Sequence, residues 1–228
     1  MRPTLRVLLI AAISLALGTL TSAEGEHGLD LSALPEVGTV SPEDGLAAWN
    51  TIHTDLTHPR CVNCHVGTNN VPLWGTTQAP DTIHGMAINA GDSRIGSETM
   101  SCNDCHQTST RPNTVPHAAL HTGMDWRLAQ VEFQWANRTS AAICAQMRDP
   151  DRNGGRDAAG LIEHILHDAE LISFITWSFD PGVGRDPAPG SLQAHLGDMA
   201  GWTAAGMPCP AERSPCHDDR AELSRHSL

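Results

Sequence analysis

The chain has 228 residues and a mass of 24.4 kDa, a length for one domain or two small ones. Its 14 basic residues, all arginine, stand against 26 acidic ones, for a net charge of −12. That balance excludes the basic footprint of a nucleic-acid binder, argues against anionic membrane surfaces, and would steer a basic protein partner at low salt. Only 4% of the chain is aromatic, with no tyrosine, so the rings that usually fill a core of this size are scarce.

The N-terminus has the order of an export signal: Arg2 and Arg6, an apolar run over residues 7–17, then Thr21-Ser22-Ala23. The run is shorter than the ~20 residues that span a bilayer, and no later stretch is longer. A signal peptide over 1–23 is therefore expected. The mature chain should be exported, periplasmic, soluble and not membrane-spanning, in a compartment that permits disulfides.

Residues 24–40 read as a loose arm. Ser41-Pro42-Glu43-Asp44 is a helix start, with Leu46, Trp49, Ile52, His53 and Leu56 at helical spacing up to about residue 56. The chain then reaches Cys61-Val62-Asn63-Cys64-His65. From residue 67 to 114 it is rich in Gly, Pro, Asn, Thr and Ser and has little periodicity, as expected of loop wrapped on a cofactor. Within that stretch lies a second pentapeptide, Cys102-Asn103-Asp104-Cys105-His106.

C-x-x-C-H is the attachment signature of c-type haem. Two thiols add across the two vinyl groups of one porphyrin, and the adjacent histidine lies under the ring as the proximal iron ligand. With 7 cysteines and 13 histidines in the chain, chance supplies on the order of 0.01 such pentapeptides. Two covalent haems are thus expected, on Cys61 and Cys64 and on Cys102 and Cys105, with His65 and His106 as proximal ligands. Two porphyrins would also supply the missing rings. A zinc site across the four cysteines would need a shorter gap between the pairs and would leave both histidines unexplained. A redox dithiol would need a βαβ context that the sequence lacks.

The C-terminal half reads as helices. Thr139 caps one through about residue 147. Asp157 caps another with Leu161, Ile162, Ile165 and Leu166 as its apolar face, breaking near Asp168 and resuming through Trp177. Ser191 caps a last helix through about residue 205. The expected fold is mainly α with much loop, cytochrome c-like. The haems would form the core of a di-haem region over 41–136, followed by a helical region over 137–210 and a tail over 211–228.

An ordered set of motifs accompanies the pentapeptides. It comprises His58-Pro59-Arg60, Pro72-Leu73, His84, Ile143-Cys144, Asp149-Pro150, Asn153-Gly154-Gly155-Arg156, Glu163-His164, Trp177, Asp180-Pro181-Gly182 and Cys209-Pro210. Over roughly residues 45–210 the chain resembles the small di-haem c-type cytochromes that carry the name isoquinoline 1-oxidoreductase subunit. The resemblance implies an exported electron carrier serving a molybdenum-containing hydroxylase.

Placement and resemblance together put His84 and His58 first as distal ligands, with His117, His121 and His164 behind them. Three cysteines remain after haem attachment. Cys144 and Cys209 both lie in the family-like region and are expected to pair, leaving Cys216 free. The rival pairing is Cys209 with Cys216. The leading function is electron transfer to a redox protein partner with a basic docking surface, as a carrier or subunit rather than a catalyst. The alternatives are a haem enzyme with an open iron site, reducing peroxide or a nitrogen oxide, and a non-catalytic haem sensor.

Overall fold

The computed structural model of the chain describes residues 28–97, 100–116 and 118–212. The expected leader, His117, Cys216 and nearly all of the tail lie outside the described residues. The described chain is mainly helical with little strand.

Helix α1 (Pro42–Leu56) starts where Ser41 Oγ accepts the Asp44 N–H, with proline in the first turn and Glu43 and Asp44 facing the positive helix end. One turn, α2 (Pro59–Val62), follows at once. The same capping chemistry starts α3 (Ser140–Arg148) at Thr139, α4 (Ala158–Leu171) at Asp157 and α6 (Leu192–Ala204) at Ser191. Between α4 and α6 lies the short α5 (Phe174–Phe179). The strands β1 (Gly96–Ser97) and β2 (Met100–Ser101) form a small antiparallel pair that leads into the second pentapeptide.

One apolar core spans both halves of the sequence. Trp49, Ile52 and Leu56 of α1 are buried with Ile143 and Met147 of α3, Leu161 and Ile165 of α4, and Leu196, Met199 and Trp202 of α6. The Trp49 and Trp202 rings lie 5.0 Å apart at the centre of the α1–α6 contact. Burying side chains of this size stabilises by about 1.5–3 kcal/mol each. At Gly45 the helix passes so close to Ala205 and Pro208 that a Cβ would strike the Ala205 methyl, so only glycine fits. Cys144 and Cys209 are joined by a disulfide, Cα atoms 5.6 Å apart, which fastens α3 to the segment after α6.

Two local expectations are corrected. The arm is docked rather than loose over its described part. Leu29 is buried, Leu31 and Leu34 pack on the core, and Asp30 exchanges two hydrogen bonds with Gln193 of α6. Three leucines spread among polar residues carry too little periodicity to announce this. The C-terminal break falls at Ile172, not near Asp168. Asp168 completes α4, and its carboxylate accepts the Ile175 and Thr176 N–H groups, so it caps α5 from the preceding helix. Ile172 takes a left-handed conformation (φ 49°) at the joint.

Candidate haem-binding site

Each pentapeptide closes one helical turn. The His65 N–H donates to the Cys61 carbonyl at 3.2 Å, and the His106 N–H to the Cys102 carbonyl at 2.9 Å. First cysteine, second cysteine and histidine are therefore i, i+3 and i+4, the spacing that puts three side chains on one face of a turn. None of the four thiols is in a disulfide. Burial pushes the Cys61 thiol up to about 12 and Cys64 up to about 11, and it raises Cys102. Such thiols stay protonated at neutral pH, the opposite of a reactive redox dithiol. Among the described residues no three Cys, His, Asp or Glu side chains converge as metal ligands, so the four thiols do not gather into a zinc site. A haem iron needs only two protein ligands, so it makes no such demand.

The two proximal candidates are built alike. His65 Nδ1 lies 2.8 Å from the Phe133 carbonyl, and His106 Nδ1 lies 2.9 Å from the Leu120 carbonyl. A carbonyl only accepts, so both Nδ1 atoms carry the proton and both Nε2 atoms keep their lone pair. This is the usual arrangement of a metal-ligating histidine, its second nitrogen held by a backbone oxygen. Burial depresses His65 to about 4 and lowers His106, so both rings are neutral at pH 7.

A tryptophan backs each ring. Trp135 stacks on His65 with centroids 3.4 Å apart and planes 3° from parallel, and its indole N–H donates to Gln146 of α3. Trp126 stacks on His106 at 4.2 Å, and its backbone N–H donates to Asn103, inside the second pentapeptide. Phe174 and Trp177 of α5 meet the Trp126 ring edge-on. The helical half thus supplies the footing of both histidines.

The long loop has a hub of its own. Arg94 is buried, and its guanidinium donates to the carbonyls of Val66, Gly67 and Ala129 and to Asn70 Oδ1. It ties the segment after the first pentapeptide to the approach to Trp135. Val66, Ala90 and Leu128 make a small apolar cluster beside it. The loop is thus more self-supporting than its composition suggests. At Gly123 the chain after the second pentapeptide touches the end of α4, and a Cβ would collide with the Leu171 carbonyl.

The distal candidates fall in different places. His84 is half-buried at the end of an arch in which Leu73 and Ile83 are bridged and the His84 N–H donates to the Pro72 carbonyl. His58 turns back on its own chain: its Nδ1 accepts the Arg60 N–H at 3.3 Å, which caps α2 and leaves the proton on Nε2. His121 is half-buried, its Nδ1 3.3 Å from the Ser109 carbonyl. Asn113 grips its backbone on both sides, steadying the neighbouring Leu120 carbonyl that holds His106. His164 is exposed on α4 and close enough to His65 to interact with it electrostatically.

No protein-family model, curated protein or solved structure matches the chain.

Around the second pentapeptide the structure leaves both unpaired donors and exposed apolar surface. The indole N–H groups of Trp126, which stacks on His106, and of Trp177, which meets Trp126, are buried without an acceptor among the described residues. Buried donors of this kind are costly unless paired. Trp74, Ile83 and Met86 leave large apolar surfaces exposed on and next to the arch, where a flat apolar group could cover them. Arg94 and the two asparagines inside the pentapeptides were not singled out by sequence. Asn63 is the third residue of its pentapeptide and Asn103 the second of its own, so no shared position marks them.

Proposed function

We propose that this chain is an exported di-haem c-type cytochrome that passes electrons to or from a redox protein. The carrying observation is the pair of C-x-x-C-H turns with unpaired thiols and histidines whose Nδ1 protons are held by backbone carbonyls. Cys61 and Cys64 would hold one haem and Cys102 and Cys105 the other, with His65 and His106 as axial ligands. When bound, each haem supplies a one-electron couple.

The protein's part is to hold and to insulate. Phe133 O and Leu120 O fix the tautomer of the two histidines. Trp135 and Trp126 fix the ring planes and exclude water from one side of each. Burial keeps both imidazoles neutral, so no proton competes for Nε2 at neutral pH. The net charge of −12 favours a partner with a basic docking surface. The sequence resemblance adds a molybdenum-containing hydroxylase as the candidate for that partner, and the N-terminal pattern adds the periplasm as the place.

The test is production in a host with haem-maturation machinery. The intact mass should exceed that of the cleaved chain by two haems, and the reduced spectrum should be that of haem c. A chain of bare mass from a host that matures a control cytochrome overturns the proposal.

A further inference from the structure

We infer that His84 is the second axial ligand of the haem carried by Cys102 and Cys105, trans to His106. The second haem is then a closed, bis-histidine centre that transfers electrons and binds no outside ligand. This rests on the di-haem reading above and adds to it.

The His84 and His106 ring centroids lie 5.9 Å apart, with planes at 64°. The rings meet edge-on rather than stacked. A metal held between two trans imidazoles, each at the ~2 Å of a metal–imidazole bond, sets the centroids about 6 Å apart. The two rings are also held in the same way. His84 Nδ1 lies 2.9 Å from the Gly85 carbonyl, as His106 Nδ1 does from that of Leu120. Each Nδ1 is thus engaged by a backbone carbonyl, and neither Nε2 has a hydrogen-bond partner among the described residues. With both Nδ1 atoms engaged, it is the Nε2 atoms that remain for an electrophilic iron.

The backbone delivers His84 to this place. The Leu73 N–H donates to the Asn63 carbonyl, and Asn63 Oδ1 accepts the Gly75 N–H at 3.0 Å. The arch thus springs from the first pentapeptide and ends beside the histidine of the second. Trp74 flanks the His84 ring at 5.8 Å. His58 and His121 make no such ring contact with His106, and His58 spends its Nδ1 lone pair on a helix cap.

The experiment compares the two-haem wild type with His84→Ala and His84→Met, haem content being checked by mass in each. The wild-type near-infrared magnetic circular dichroism should contain a bis-imidazole band. His84→Ala should lose it for one haem and gain uptake of one carbon monoxide per protein after reduction. Added imidazole should reverse both changes. His84→Met should stay low-spin, show a thioether-to-iron band, and raise the potential of one of the two couples while leaving the other in place. Two-haem variants with unchanged ligand bands, carbon monoxide uptake and potentials overturn the assignment while leaving the di-haem reading intact. If neither variant folds, absence of any bis-imidazole band in the wild type overturns it alone. A chain without haem overturns the underlying reading instead.

Discussion

His195 Nδ1 lies 2.7 Å from Asp55 Oδ2, with the two side chains only 7% and 4% exposed, and this bond joins α6 to α1. Removing one member of a buried pair strands the other without a partner, at a cost of about 3–5 kcal/mol. Asp55→Ala and His195→Ala should each lower stability by that order in urea unfolding. The double variant should lose much less than the sum. Additive losses would show that the bond does not hold the helices together.

Arg94 should not tolerate lysine. A point charge on a flexible stem cannot replace a planar fork that reaches four separate acceptors. Arg94→Lys should cost about 2–3 kcal/mol, since hydrogen bonds from charged groups contribute about 1.5–3 kcal/mol. Hydrogen exchange should quicken over residues 66–70 and 128–130, while α1 and α6 keep their protection.

Loss of the Cys144–Cys209 bridge should act on the helical half. Closing a loop with a sequence separation of 65 residues stabilises by about 4 kcal/mol in the chain-entropy view. Cys144→Ser with Cys209→Ser should lower the melting temperature without changing the haem spectrum. An unchanged melting temperature would mean that packing alone secures α3.

Ile172 is a β-branched residue in left-handed backbone, a strain of about 1–2 kcal/mol for a non-glycine residue. Its side chain is 46% exposed, so little packing is at stake. Ile172→Asn should raise stability by about 1 kcal/mol, read as a higher urea midpoint at unchanged slope. A loss would show that Ile172 packs in a way that outweighs its strain.

Haem removal should have unequal effects. The α1–α3–α4–α6 core is apolar, capped and cross-linked, whereas among the described residues the chain from Asn63 to Leu128 buries the small Val66–Ala90–Leu128 cluster. Protein made without haem maturation should keep much of its helical circular dichroism but lose amide protection across that stretch. Uniform protection would show that the loop folds unaided.

The helices were legible because their starts are chemical and local. Ser41, Thr139, Asp157 and Ser191 each cap the helix expected from them, and apolar spacing marked the buried faces of α1 and α4. The pentapeptides were legible because each is a contiguous five-residue pattern that occurs twice. The contacts that position them were not. Trp135 under His65, Trp126 under His106 and Asp55 against His195 join residues far apart in the chain, and no local pattern records such a meeting. The Ile172 joint was missed because isoleucine is a poor residue for the conformation it adopts, so propensity pointed elsewhere. The break was expected near Asp168, whose carboxylate instead caps the helix that follows.

The arch from Asn63 to His84 behaves as a strut of fixed span between the two C-x-x-C-H turns. Its foot is bonded to one and its head faces the other, while its tip over residues 76–81 is exposed and bears on neither. Extra residues at the tip should leave both ends in register. A residue added between Asn63 and Pro72 would shift the head against its foot and change the gap beside His106. The distance between the two centres is therefore a length written into one short piece of chain.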